Sequence, residues 1–497
     1  MAAREAPRSR RARWLSSSLA RALPLMAAAG CAGSGTTPPG GGGAAGPAGG
    51  GGRGGGTSAG AAGSAAGDPD PELTAEARAA LAALRYDDGP PPADPSNRVA
   101  DDPTARAFGQ RLFFDKSFSG RLLEGDNDGS ITTLGVRGDA GKVACAGCHL
   151  PDYAFVDTRS PHAQVSLAAQ WTLRRAPTLL EVAFAPLYNW DGRRDALWNQ
   201  ALGVMESNRE FNSGRLFVAE QIFRRHRAEY EAIFGALPAL DDGARFPALA
   251  PETTGCVEVS TTMGSKFQCR GVPGDGADYD GLKPDDQRLV TTVAVNAAKA
   301  IAAYLRQLRC GPGRFDRWLD GDATVLSRAE QRGAALFVGR GGCVTCHAGP
   351  RLTDGQFHNV GLSPAVVAVA IHDTDDRGAA KGIADALVDP LGTAGAFSDG
   401  DRHVLPAAVT PAMEGAFRTP TLRCSAQQPS FMHTGQMTGL DQVVAFFDRG
   451  GDRAGGYPGT SELVPLGLTA RERSDLVAFL TTFEGPGAAA ALRAPPP

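Results

Sequence analysis

Cys145-Ala-Gly-Cys148-His149 and Cys343-Val-Thr-Cys346-His347 are two copies of one pattern, C-x-x-C-H, in a chain of 497 residues. Two thiols three positions apart reach the two vinyl groups of one haem and form thioethers. The adjacent histidine then lies under the ring and ligates the iron. A zinc site would need further Cys/His pairs at similar spacing, and the sequence has none. A thioredoxin-like C-x-x-C would need a βαβ context, whereas the flanking sequence here reads as helical. The expectation is two covalent c-type haems, held by Cys145, Cys148, Cys343 and Cys346, with His149 and His347 as iron ligands.

The surroundings of the two motifs repeat as well. Gly109-Gln-Arg-Leu112-Phe113 precedes the first and Gly333-Ala-Ala-Leu336-Phe337 the second. Arg175-Ala-Pro177-Thr178-Leu179 follows the first and Arg418-Thr-Pro420-Thr421-Leu422 the second. Fifteen residues separate Pro177 from Gly192, and fifteen separate Pro420 from Gly435. Thirteen residues after each proline stand Trp190 and His433, and twenty after stand Leu197 and Leu440. Two modules of common pattern, one haem each, account for this register.

Both modules read as helical. Ser327-Arg-Ala-Glu330 and Thr469-Ala-Arg-Glu472 are capping boxes opening a helix each. Val218, Ile222, Phe223, Tyr230 and Phe234 keep near-helical spacing over 218–234, with Gly235 as the stop. Arg288 to Leu308 predicts a long apolar helix linking the modules. Residues 236–285, rich in Gly, Pro and Asp, read as an inserted loop flanked by Cys256 and Cys269, a candidate disulfide. Cys310 and Cys424 either pair or stay free.

The N-terminus reads as an export signal: Arg4, Arg8, Arg10, Arg11 and Arg13, then an apolar run from Leu15 to Met26, then Ala27-Ala28-Ala29-Gly30. Cys31 follows, as at the end of a lipoprotein signal, although Ala28 stands where leucine is usual; the alternative is a plain secretory signal. Residues 32–67 hold 17 glycines in 36 positions, too little apolar surface to fold, and read as a tether. The net charge of −4 becomes −9 once residues 1–30 are removed, which argues against a nucleic-acid partner. No segment beyond the leader reaches the length of a membrane span, so any membrane contact is through an N-terminal lipid anchor. The domains expected are a signal over 1–30, a tether over 31–72, an N-terminal haem domain over 73–310 with the insertion at 236–285, and a C-terminal haem domain over 311–490.

Two C-x-x-C-H modules, with R-x-P-T followed by W-D-G-R and P-T-L-R followed by M-H-x-G, resemble the bacterial di-haem cytochrome c peroxidases and their MauG-type relatives. The resemblance runs from about residue 100 to 485, broken by the insertion. It implies a mainly α, loop-rich fold of two cytochrome c-like haem domains packed face to face. It implies that His149 serves the peroxidatic haem and His347 the electron-transfer haem. It matches Trp190 to a tryptophan between the haems, Gln200 to a glutamine of the peroxidatic pocket, and Glu210 to the pocket's acid–base glutamate. Without the resemblance, Trp190 reads equally as core packing and Glu210 as a solvated acid beside Asn208 and Arg209.

The chain departs from that pattern in three places. Where the peroxidases carry a removable second histidine on the first iron, this chain has Val165-Ser166-Leu167-Ala168; His162 is nearest and is offset. Phe447 stands fourteen residues after His433, where the family has the second iron's sixth ligand; the alternatives are Met413, Met432 or Met437, or an open site. Arg175 replaces an asparagine that helps hold an inter-haem calcium. A cationic side chain argues against the ion, though two backbone carbonyls near Gln428 could contribute to it.

The expected activity is reduction of hydrogen peroxide, with electrons from a small donor protein such as a cytochrome c or cupredoxin, in the periplasm or on a membrane facing it. The alternatives are a MauG-like oxidase acting on a partner protein's side chain and a non-catalytic di-haem electron carrier. Protein made in a host that matures c-type haem should retain two haems per chain after acid–acetone extraction. Intact-mass measurement checks this, and a mass with one haem or none would refute it.

Overall fold

The computed structural model describes residues 73–159, 165–261, 264–364, 376–452 and 455–496. The predicted signal and tether, Cys31 and His162 lie outside the described residues. The first half holds α1 (Ala75–Ala82), α2 (Pro103–Phe114), the single turn α3 (Cys145–Cys148), α4 (Leu197–Glu206), α5 (Arg215–Arg225), α6 (Arg227–Phe234) and α7 (Pro284–Leu305). The second half holds α8 (Arg314–Leu319), α9 (Arg328–Val338), α10 (Ala379–Leu387), α11 (Leu440–Asp448) and α12 (Ala470–Leu480). Two short antiparallel pairs complete it: β1 (Gly255–Thr261) with β2 (Gly264–Arg270), and β3 (Phe357–His358) with β4 (Phe417–Arg418). The chain is thus mainly helical, as its periodicity predicts. Among the described residues no helix is long and apolar enough to cross a membrane.

The helices begin where their caps dictate. The Asp102 carboxylate accepts from the Thr104 and Ala105 amides, and Pro103 occupies the first helical position of α2, where no intrahelical donor is needed. Both predicted capping boxes are formed, Ser327 with Glu330 at α9 and Thr469 with Glu472 at α12.

Each half is organised by one helix crossing at a glycine. A Cβ on Gly109 of α2 would lie 1.8 Å from the carbonyl oxygen of Ala300 in α7. A Cβ on Gly333 of α9 would lie 2.1 Å from that of Asp475 in α12. Only glycine permits backbones so close. The repeat's apolar pair fills the angle of each crossing. Phe113 packs on Tyr304 and Phe155 in the first half, and Phe337 on Phe479 and Phe483 in the second. Six alanines of α7, from Ala294 to Ala303, are fully buried, so α2, α4 and α5 all pack tightly on it.

Two expectations need correction. The pattern over 218–234 predicts one helix, but the backbone breaks at His226, between α5 and α6. The His226 imidazole turns inward instead, with Nε2 2.8 Å from the Asp115 carboxylate and its ring stacked on Phe118. That pairing holds the Asp115 carboxyl down at about 2. The insertion at 236–285 is also more than a loop. It carries the β1–β2 hairpin, with Cys256 directly opposite Cys269 and bonded to it. Its Leu237, Leu240, Phe246, Leu249, Tyr279 and Leu282 are buried in the first half's core. Gly, Pro and Asp mark its turns, while these scattered apolar residues supply the burial that a composition count hides.

The halves are joined covalently and electrostatically. Cys310, just past α7, is disulfide-bonded to Cys424, which settles the alternative left open by the sequence. Arg423, fully buried, donates to Asp316 Oδ2 at 2.6 Å and to the carbonyl oxygens of Leu84 and Pro350. Glu181, which accepts from the Tyr86 hydroxyl and the Cys310 amide, is paired across the halves with Arg351 at 3.4 Å. Loop closure should rank the two disulfides. Replacing both Cys310 and Cys424 by Ala, 114 residues apart, should cost up to about 5 kcal/mol. Replacing Cys256 and Cys269, 13 apart, should cost up to about 3 kcal/mol. Denaturant titrations of the two double variants check the order.

Candidate active site

The first C-x-x-C-H forms the turn α3, with His149 at its C-cap. His149 Nδ1 lies 2.9 Å from the carbonyl oxygen of Phe155. That bond assigns the proton to Nδ1 and leaves Nε2 for a metal. Burial pushes the imidazole's pKa down, keeping it neutral. The carbonyl is presented by an unusual turn: Ala154 and Phe155 both take the left-handed conformation, at φ 54° and 57°. Thr178 secures it, donating its hydroxyl to the Ala154 carbonyl at 2.6 Å.

The second motif repeats this construction. His347 Nδ1 lies 2.9 Å from the Leu352 carbonyl oxygen, Leu352 is left-handed at φ 52°, and burial again lowers the imidazole's pKa. Thr421 donates to the Arg351 carbonyl at 2.6 Å. The proline–threonine of each repeat therefore pins the residue just before the one whose carbonyl orients the histidine. Ala154, Phe155, Arg351 and Leu352 escape a sequence reading, because nothing in their side chains announces a left-handed turn. Thr178 and Thr421 were visible as repeat positions but not as hydroxyl donors.

A cavity of about 380 Å³ opens over the first motif. Cys145, Cys148, His149, Trp190, Gln200 and Glu210 all line it, so the fold brings together every expected residue of the first site. Burial pushes the Cys145 and Cys148 thiols up to about 12. Gln200 comes from α4, and Glu210 from the turn after it, where its amide donates to the Ser207 carbonyl. Glu210 is half-buried and faces this cavity. Desolvation lifts its carboxyl above the ordinary carboxylate range, against the pull of Arg193, Ser207, Arg194 and Arg209.

A second cavity, of about 170 Å³, shares one wall with the first: Arg175, Pro177, Thr178, Val182, Trp190 and Arg418 line both. Trp190 is buried there, its Nε1 donating to the Arg175 carbonyl at 2.8 Å. Its ring centroid is 6.4 Å from that of His433, the partner assigned to it by the repeat register. The far side is formed by Arg351, Thr353 and Asp354, which follow the second motif, and by Thr421, Leu422 and Met432.

The sixth-ligand alternatives separate in space. Phe447 packs against the buried cluster of Leu362, Met437 and Phe446, edge-on to Phe446. Met432 lines the second cavity, Met437 is buried in the cluster behind it, and Met413 lies in a different cluster with Leu187 and Ile383. Arg175, which stands where the resemblance puts a calcium-holding asparagine, extends its guanidinium to the side-chain oxygen of Gln428. One group of three metal-type ligands occurs among the described residues, Cys346, Asp354 and His358. Cys346 also belongs to the second C-x-x-C-H, and His358 is held between the carboxylates of Asp354 and Glu462.

A donor set of two cavity-facing thiols and a neutral imidazole whose Nδ1 is engaged by a backbone carbonyl fits a covalent haem at the first site. The same histidine geometry at Cys343, Cys346 and His347 fits a second. Comparisons with known proteins agree. Residues 103–254 match the family model for di-haem cytochrome c peroxidase. The chain is 28% identical over 393 residues to the methylamine utilization protein MauG of Methylorubrum extorquens, covering 78% of this chain and 81% of that protein. It is 29% identical over 391 residues to the cytochrome-c peroxidase IdrP1 of Denitromonas iodatirespirans, covering 75% and 80%. Its fold is similar to that of the diheme peroxidase BthA from Burkholderia thailandensis, with a TM-score of 0.53 at 21% identity over 79% of this chain and 89% of that one. In these comparisons the chain is similar to di-haem cytochrome c peroxidases and MauG proteins, oxidoreductases that carry two c-type haems.

The threonine pins give a direct test. Thr178→Val keeps the shape but leaves the Ala154 carbonyl without its 2.6 Å donor. It should cost about 1–3 kcal/mol of stability and shift the iron–histidine stretching frequency of the first haem. Thermal melts and resonance Raman spectra of the reduced protein check the two effects.

Proposed function

We propose that the protein reduces hydrogen peroxide to water at the first haem, taking two electrons and two protons per peroxide, with the electrons entering at the second haem from a small redox protein. The observation that carries this reading is Glu210: a protonatable carboxyl in the same cavity as His149, with its pKa raised by desolvation. Bound over His149, a haem iron supplies the redox-active centre at which peroxide is reduced. The chain's own residues supply the rest. Cleaving the O–O bond requires a proton to leave the near oxygen and reach the departing one. A single carboxyl poised above the ordinary range can accept it and return it. Gln200 supports this as a neutral hydrogen-bonding group that orients the peroxide without competing for the proton. Trp190, in the wall between the cavities, is the aromatic path for electrons between two haem domains facing one another. The apolar leader and acidic mature chain suit an exported enzyme whose donor is a periplasmic cytochrome c or cupredoxin.

A second reading is a MauG-like oxidase acting on a partner protein's side chain. It is favoured by the near-equal similarity of the chain to relatives named MauG and to relatives named peroxidase. Peroxide turnover with reduced cytochrome c supports the first reading. A fast spectral response to peroxide without such turnover supports the second. No spectral response would leave an electron carrier.

Glu210→Gln should keep both haems and slow the reaction with peroxide by about 10²–10⁴-fold. Because Glu210 must be ionised to take the first proton, the wild-type rate should rise with pH. The acid limb should lie above the ordinary carboxylate range, and the variant should lose it. Stopped-flow absorbance needs no electron donor; a loss below about threefold would assign the proton to another group.

A further inference from the structure

The wall between the two cavities contains two guanidinium groups that no carboxylate among the described residues neutralises. Arg175 and Arg418 hold equivalent places in the internal repeat, two residues before Pro177 and Pro420, and each lines both cavities. Arg175 is 4% exposed. Its Nη2 donates to a neutral amide, that of Gln428, and its buried Nε has no hydrogen-bond partner. Arg418 donates only to backbone carbonyls, those of Asn189 at 3.4 Å and Thr419 at 3.5 Å, both long.

Their neighbours are built differently. Arg174 is paired with Asp191 and Asp376, and Arg193 with Asp191. Burial depresses the pKa of Arg175 to about 10 and lowers that of Arg418, whereas that of Arg174 is raised by its carboxylates. A buried cation that has lost its water without gaining an anion is strongly disfavoured, and two in one wall also repel each other. Such a wall is completed by anions entering the cavities.

Each haem carries two propionate carboxylates, on the edge away from the positions that form thioethers. Guanidinium pairs with carboxylate through two parallel hydrogen bonds, the strongest arrangement open to either group. We infer that Arg175 and Arg418 are propionate anchors of the two haems, a fixed pair of positive charges that takes the place of a bound divalent cation between them. The inference rests on the protein carrying two haems, which counting the haems tests separately. It gives both arginines a role in setting reduction potential: a positive charge near the ring favours the added electron.

The test uses the full haem-loaded protein, Arg175→Gln and Arg418→Gln, and the charge-keeping Arg175→Lys and Arg418→Lys. Pyridine haemochrome absorbance counts haems, and spectroelectrochemical titration gives the potentials. Two haems should remain in each variant. Each glutamine variant should lower the potential of at least one haem by about tenfold or more in the reduction equilibrium, about 59 mV for a one-electron couple. The lysine variants should recover most of that shift. In the wild-type protein, excess EGTA should leave both potentials unmoved. Glutamine variants with two haems and potentials within about twofold of wild type in equilibrium constant would overturn the inference. So would an EGTA-induced shift that calcium reverses. If one glutamine variant fails to load haem, the other and the wild-type chelator titration decide in the same two directions. Wild-type protein with fewer than two haems would instead overturn the di-haem reading itself.

Discussion

The close crossing of two helices at a glycine is the constraint on which each half depends. At Gly109 and Gly333 the backbones meet at a distance that no side chain allows. The aromatic residue four positions later is thereby wedged against the closing helix of the same half, Phe113 on Tyr304 and Phe337 on Phe479. In the first half Cys145, Ala146 and Cys148 pack directly against the core so formed. A frame this tight can hold a histidine in one orientation, because the carbonyls that receive Nδ1 belong to turns pinned by Thr178 and Thr421.

The polar groups around the two cavities follow from their removal from water. Neutral imidazoles, thiols held protonated, a carboxyl lifted above its usual range and two guanidinium groups without carboxylates all line or border the same space. Burial without compensation disfavours each charged form. Iron ligation suits the imidazoles, thioether formation the thiols, and anionic propionates the arginines. For Glu210 the raised pKa fits a group that exchanges protons. The protein has placed side by side groups that a bound cofactor would satisfy in different ways.

The repeat also shows where the halves have diverged. Trp190 and His433 occupy the same register and lie 6.4 Å apart, one bonded to the Arg175 carbonyl and the other stacked on Phe417. The first half has absorbed an insertion whose hairpin is tied by Cys256–Cys269 and whose apolar residues enter the core. In the second half Phe447 packs edge-on against Phe446, and of the three candidate methionines Met432 reaches the cavity. The glycine crossings and threonine pins are alike in both halves.

Much of the fold and site was legible in the sequence because it depends on local chemistry. The expectation of haem attachment follows from the spacing of Cys145, Cys148 and His149 and of their counterparts. The helix starts follow from Asp102, Ser327 and Thr469, whose side chains cap their own helices. The repeat register follows from counting residues. Tertiary structure decided what depends on partners distant in the chain. The helix over 218–234 breaks because Asp115, more than a hundred residues earlier, captures His226. Cys310 pairs with Cys424 because the end of α7 is brought beside the second half. Gln200 and Glu210 become cavity residues because α4 packs on α7. Arg174 and Arg175, adjacent and identical in the sequence, become an ion-paired cation and an uncompensated one, because the carboxylates reaching that wall, Asp191 and Asp376, meet only the first. Charge type is a local property of a residue; whether that charge is balanced is set by what the fold brings to it.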